Sequence, residues 1–211
     1  MPEYLSLLRN ASVGSIYALF VFVNILLLFK GKIKDRKFVI LYYVWLPIAV
    51  ITQFLMTYFR LQLHRSNLLI MNIYLMLEFT IIIVVLLLAR EHIKGIKTNY
   101  KIWGTVILFG ILLHFIDDFN NIHNSAMLFI AIIYFQLTVS FIDLDRVEKF
   151  LTDPYSLLHI SIFVKAFGYS YFLIYQTDYT FPLSIYSAVN LVVQILLGTT
   201  LFLYYKSQKK L

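Results

Sequence analysis

Seven apolar segments fill most of this chain, and basic residues crowd every second connection between them. The segments are Ala11–Phe29, Phe38–Phe59, Leu68–Ala89, Ile102–Ile116, Ala126–Ile142, Tyr155–Tyr175 and Phe181–Tyr205. A helix rises ~1.5 Å per residue, so ~20 apolar residues cross a ~30 Å hydrocarbon core. The fourth and fifth segments fall short of that length, and the others reach it or come close. Lipid offers no hydrogen bonds to an open backbone, so segments of this kind fold as helices. The expectation is an all-α membrane protein, a seven-helix transmembrane bundle forming a single integral membrane domain over residues 1–211.

Composition agrees. Apolar residues make up 61% of the chain and charged residues 14%, against ~25% charged in a soluble domain. The net charge of +7 points to orientation and anionic headgroups; no nucleic acid is expected. Lys30, Lys32, Lys34, Arg36 and Lys37 follow the first segment, and Arg90, Lys94, Lys97 and Lys101 follow the third. Arg146 and Lys149 follow the fifth, and Lys206, Lys209 and Lys210 follow the seventh. The alternate side has only Arg9, Arg60 and Arg65. The positive-inside rule then places the N-terminus outside and the C-terminus in the cytoplasm of a bacterial inner membrane. The first segment reads as a retained signal-anchor, because its basic run follows it. The chain has no cysteine, which excludes thiol catalysis, disulfides and thiolate metal sites.

Pro47 lies inside the second segment and predicts a kink there. Pro182 falls in the first turn of the seventh, and Asp153–Pro154 opens the sixth. Ionisable groups at mid-membrane are costly and mark candidate sites. Glu78 is central in the third segment and Lys165 in the sixth. Matched depth predicts that the two meet, either as a structural tie or as a proton-, ion- or ligand-linked centre. Polar neighbours share their faces at helical spacing. Asn67, Met71 and Tyr74 lie in line with Glu78, and Ser161, Gly168 and Tyr169 with Lys165. Ser187, Asn190 and Gln194 line the seventh segment, Tyr17 and Asn24 the first, and Tyr42 and Gln53 the second. Such stripes either hydrogen-bond helices together or enclose a small polar core.

Two further features stand outside that core. His114, Asp117 and Asp118 share a face at the outer end of the fourth segment, and His123 follows. They form an interfacial cap, a site for a divalent or other cationic ligand, or a pH-responsive pair. The inner connection Asp143–Asp153 carries four acids against the basic trend. Its Leu144, Val147, Phe150 and Leu151 recur at helical spacing, as in an amphipathic surface helix. It is either a solvated extension or a dock for a cytoplasmic or membrane partner protein. No Walker, HExxH or GxSxG motif occurs, so no catalytic residue, metal ligand set or cofactor is assigned. A retinal protein would need a lysine in the last span, which has none before Lys206.

The stretch Asn72-Ile-Tyr74-Leu-Met-Leu-Glu78-Phe79 resembles an N-x-Y-x-x-x-E-F pattern in small polytopic membrane proteins of Bacteroidota. The resemblance implies about seven spans and adds Asn72 to the core residues, with Glu78 the one to test. The expected function is a non-enzymatic sensory or accessory module acting with a partner, alone or as an oligomer. A small transporter or channel through Glu78 and Lys165 is the alternative, and an intramembrane enzyme a second. The charge pattern makes a direct prediction. A reporter fused after Leu211 should read cytoplasmic and one in the Asp118–Asn124 loop external; the reverse would overturn the topology.

Overall fold

The structure, a computed structural model, describes residues 3–62, 68–95, 97–116, 124–140, 152–174 and 180–208, and every regular element among them is helical. The elements are α1 (Glu3–Lys30), α2 (Arg36–Val39), a π-helical segment (Ile40–Trp45), α3 (Leu46–Leu61), α4 (Leu68–Lys94), α5 (Tyr100–Leu113), α6 (Asn124–Val139), α7 (Pro154–Ile174) and α8 (Thr180–Gln208). Since α2, the π-helical segment and α3 run on without a break, they form one helix, and the described residues hold seven helices. Four of these, Ser6–Lys30, Arg36–Phe59, Leu68–Ile93 and Ile185–Gln208, are long and apolar enough to cross a membrane. As the sequence anticipated, α5 and α6 are shorter.

The helix ends follow from local chemistry. Gly31 and Gly95 take φ of +82° and +64°, and their N–H groups close back on Leu27 O and Glu91 O at 3.0 Å. This left-handed stop suits glycine because a Cβ would clash. Asp35 caps α2 through the Lys37 N–H at 2.9 Å, and its carboxylate also pairs with Lys37 Nζ at 3.1 Å. Asn99 caps α5 through the Lys101 and Ile102 amides. Asp153 caps α7, accepting from Ser156 N at 2.7 Å and Ser156 Oγ at 2.8 Å; Pro154, first in that helix, has no N–H to strand.

The Pro47 disturbance takes a specific form. Proline removes one intrahelical donor and its ring crowds the carbonyl four residues back. The helix responds just upstream with the π-helical turn, in which the Leu46 N–H reaches Leu41 O. The wider turn changes the phase of the side chains that precede the proline.

Packing divides the chain into two units, one of Met1–Ile33 with Ala131–Leu211 and one of Lys34–Ile130. In the first, α7 and α8 form an antiparallel hairpin, with Gly168 against Val189 and the Tyr169 and Tyr186 rings 6.0 Å apart. Helix α1 lies parallel to α8. Gly198 faces Leu19 and Phe22, and further along both helices Tyr205 OH donates to Gly31 O at 2.6 Å. In the second unit, α4 packs against the π-helical segment, α3 and α5. Phe38, Leu41, Leu46, Phe79, Ile82, Ile83 and Leu86 are fully buried there. Leu69, Ile73 and Leu77 form an exposed apolar stripe on the other side of α4, the pattern of a helix with lipid on one face.

Inside lipid the hydrophobic effect does little to join helices, so close van der Waals fit matters more. Gly110 of α5 illustrates this. A Cβ built there would run into the Phe79 ring and sit 3.1 Å from Phe129, and those two rings meet edge to face at 5.9 Å. Gly110→Val should therefore lower stability by ~1–3 kcal/mol in thermal melts in detergent. Gly104→Ala, with nothing within 4 Å of the new atom, should be neutral or gain up to ~1 kcal/mol from helix propensity. Equal melting temperatures for Gly110→Val and the unaltered protein would refute the packing.

Candidate functional site: a buried carboxyl at a π-helical turn

Glu78 is 1% exposed in the middle of α4. A carboxyl this far from water is tolerable only with donors aimed at it. Two converge on its Oε1. Tyr74 OH, one turn earlier on the same helix, donates at 2.5 Å, and Trp45 Nε1, the last residue of the π-helical segment, donates at 3.0 Å. Trp45 is itself 1% exposed. Asn72 is fully buried on α4, and Tyr42 is 1% exposed in the π-helical turn. The centre thus joins a carboxyl, a phenol and an indole across two helices.

Spacing on α4 revealed Tyr74 beside Glu78, and the resemblance supplied Asn72. Trp45 was missed. Its signal was an indole N–H, which needs an acceptor when buried, two residues before a mid-helix proline.

Met71 and Gln53, in the same unit, are half-buried, and most of the other predicted core residues belong to the other unit. Lys165 is 5% exposed on α7, with its Nζ 5.8 Å from the centre of the Tyr169 ring. Ser161, Gly168 and Tyr169, predicted to share its face, are all buried as well. On α8, Ser187 and Gln194 are buried and Asn190 is half-buried. Asn24 departs from its expected inward position. It is exposed, and its amide donates to Phe20 O in its own helix at 2.7 Å. Tyr17 is half-buried. His114, expected at the water interface, is instead fully buried at the end of α5. Asp117, Asp118 and His123 lie outside the described residues, as do Asn67 and the stretch 143–151. Among the described residues no group of three His, Asp or Glu side chains could hold a metal ion.

Sequence reading also overlooked Glu91. At the end of α4 it accepts from the Thr98 N–H at 2.9 Å and from Tyr100 OH at 2.9 and 2.8 Å. One carboxylate thereby ties the α4–α5 connection to both flanking helices.

Comparison with protein-family models, with curated proteins and with solved structures finds no match.

The geometry around Glu78 sets an energetic expectation. Trp45→Phe keeps most of the ring and removes the N–H, so it should cost ~1–3 kcal/mol. Glu78→Gln retains an acceptor and should cost less. A Trp45→Phe/Glu78→Leu double variant should lose less than the sum of its singles, because the lost hydrogen bond is shared. Strict additivity in detergent melts would show that indole and carboxyl do not interact.

Proposed function

We propose that this chain is a non-enzymatic sensory or accessory module of a bacterial cytoplasmic membrane. In this reading it crosses the bilayer seven times, with the N-terminus outside. The parallel course of α1 and α8 supports an odd number of crossings, since both then pass in the same direction. Alternating basic connections support the orientation.

The single observation behind the functional reading is the hydrogen bond from Trp45 to Glu78. It links the most costly group of the unit to the one segment of its helix that departs from α geometry. Protonation of Glu78, or a ligand bound beside it, alters what Trp45 is held by. The π-helical turn is the element free to answer, because its register is already relaxed from the α-helical ladder. A site of this kind converts occupancy into backbone movement and has no need of a nucleophile or a metal. The output then passes to a partner protein, with Asp143–Asp153 as the proposed contact. The role of Lys165 and Asn190 in that reading is to complete the polar interior of their own helices.

Reconstitution tests the reading. Proteoliposomes holding the purified protein should show no proton, sodium or potassium flux above empty vesicles under an imposed gradient. In a Trp103→Phe background, Trp45 is the single tryptophan, and its emission should shift on Glu78→Gln substitution. Flux that Glu78→Gln abolishes would replace this reading with transport. An unchanged Trp45 emission would remove Glu78 as its centre.

A further inference from the structure

A groove of about 470 Å³ runs between α1 and α8. Its lining includes the small residues Ala11, Gly14, Ser15 and Ala18 of α1 and, with larger apolar side chains, Gln194, Ile195 and Gly198 of α8. The α1 residues recur at i, i+3, i+4 and i+7, so they form one continuous face of small side chains. Small residues at such spacing let another helix backbone come close in a membrane. A Cβ on Gly14 would meet nothing within 4 Å, so the groove is open there.

Gln194 makes this more than a stripe of small residues. It is 8% exposed, it lines the groove, and its buried Oε1 has no hydrogen-bond partner among the described residues. An amide left unbonded away from water is unfavourable. Its terminal torsion is soft, so a small rotation turns the amide toward whatever fills the groove.

Depth narrows the occupant. Gln194 is the middle residue of the 29-residue α8, roughly 20 Å along the helix from either end at ~1.5 Å per residue. The half-thickness of the hydrocarbon core is ~15 Å. Headgroups and ester carbonyls therefore lie a whole leaflet away, and a phospholipid presents only its chains at this level. The missing hydrogen-bonding group must come from a transmembrane segment with a polar side chain at the same depth.

We infer that the occupant is a second copy of this chain, docked groove to groove about a two-fold axis along the membrane normal. Such a copy shares the topology, so its Gln194 arrives at the required depth by symmetry. An amide is self-complementary, being both donor and acceptor, so two Gln194 side chains facing across the axis satisfy each other. Ile195, beside Gln194 on α8 and 61% exposed, supplies the ridge that enters the opposite groove. This inference is independent of the role proposed for Glu78.

The chain has no cysteine, so one introduced thiol reports on one position. In native membranes, Ile195→Cys in the full chain should form a disulfide-linked dimer on oxidation. Phe109→Cys, exposed on α5, should not. Gln194→Leu and Gly14→Leu, each added to Ile195→Cys at matched protein levels, should cut the dimer at least five-fold. The Gly14 variant has space in the single chain and fills the groove. Gln194→Asn should retain most of the dimer. Single-molecule photobleaching of labelled protein in vesicles at high dilution should give two steps, and one step for Gln194→Leu. A monomer in vesicles would overturn the proposal, as would cross-linking at Phe109→Cys equal to that at Ile195→Cys. Dimerisation indifferent to both Gln194→Leu and Gly14→Leu would also overturn it.

Discussion

A carboxyl that water cannot reach has to be solvated by the protein, and in the unit Lys34–Ile130 that requirement orders much else. Glu78 draws Tyr74 from one turn away on its own helix and Trp45 from the neighbouring helical passage. The tyrosine comes without special arrangement, because residues four apart share a helix face. The tryptophan closes the π-helical turn just upstream of Pro47, and its indole helps to make the carboxyl tolerable. Loss of either element strands the other, because an unpartnered buried polar group costs more than a hydrogen bond gains.

The unit Met1–Ile33 with Ala131–Leu211 is held differently. Its contacts are close approaches of small and aromatic residues. Gly168 meets Val189, Tyr169 stacks near Tyr186, and Phe135 lies 5.3 Å from Phe163. Tyr205 fastens the end of α1 by donating to Gly31 O, a carbonyl past the last turn that no helix bond satisfies. Its serines and threonines mostly bond back to their own helices, as Ser161 does to Leu158 O and Thr200 to Leu196 O. Polar residues of that sort satisfy themselves and leave helix association to shape. Gln194 breaks the pattern, since its amide is too far along its side chain to serve its own backbone as readily.

Much of this was legible beforehand. Apolar runs of membrane-crossing length permit little besides helices, and every regular element in the described residues is one. The Pro47 disturbance and the Asp153–Pro154 start were readable from local chemistry. So was the pairing of Tyr74 with Glu78, and so was the buried face of α7 carrying Ser161, Lys165, Gly168 and Tyr169. Other features were not. Trp45 escaped because the acceptor of its indole N–H lies on another helix, far away in sequence. Glu91 escaped because its partners lie across a turn, where no periodicity applies. Asn24 was assigned inward on residue type alone, although an amide can bond to the carbonyl four residues earlier and face outward. His114 was set at the interface because acidic neighbours follow it in sequence, whereas the structure buries it completely.

By itself the sequence determined the helical class, the disturbance at Pro47, the basic asymmetry of the connections and the cost attached to Glu78 and Lys165. These are one-dimensional properties, set by chain length against bilayer thickness, by backbone freedom at single residues and by charge counted along the chain. Tertiary structure decided which donors answer Glu78, which face of α1 meets α8, and that the Gln194 amide oxygen has no partner among the described residues. Those depend on helix phase and on the distance between segments far apart in sequence, and neither quantity is written in the order of residues along one helix.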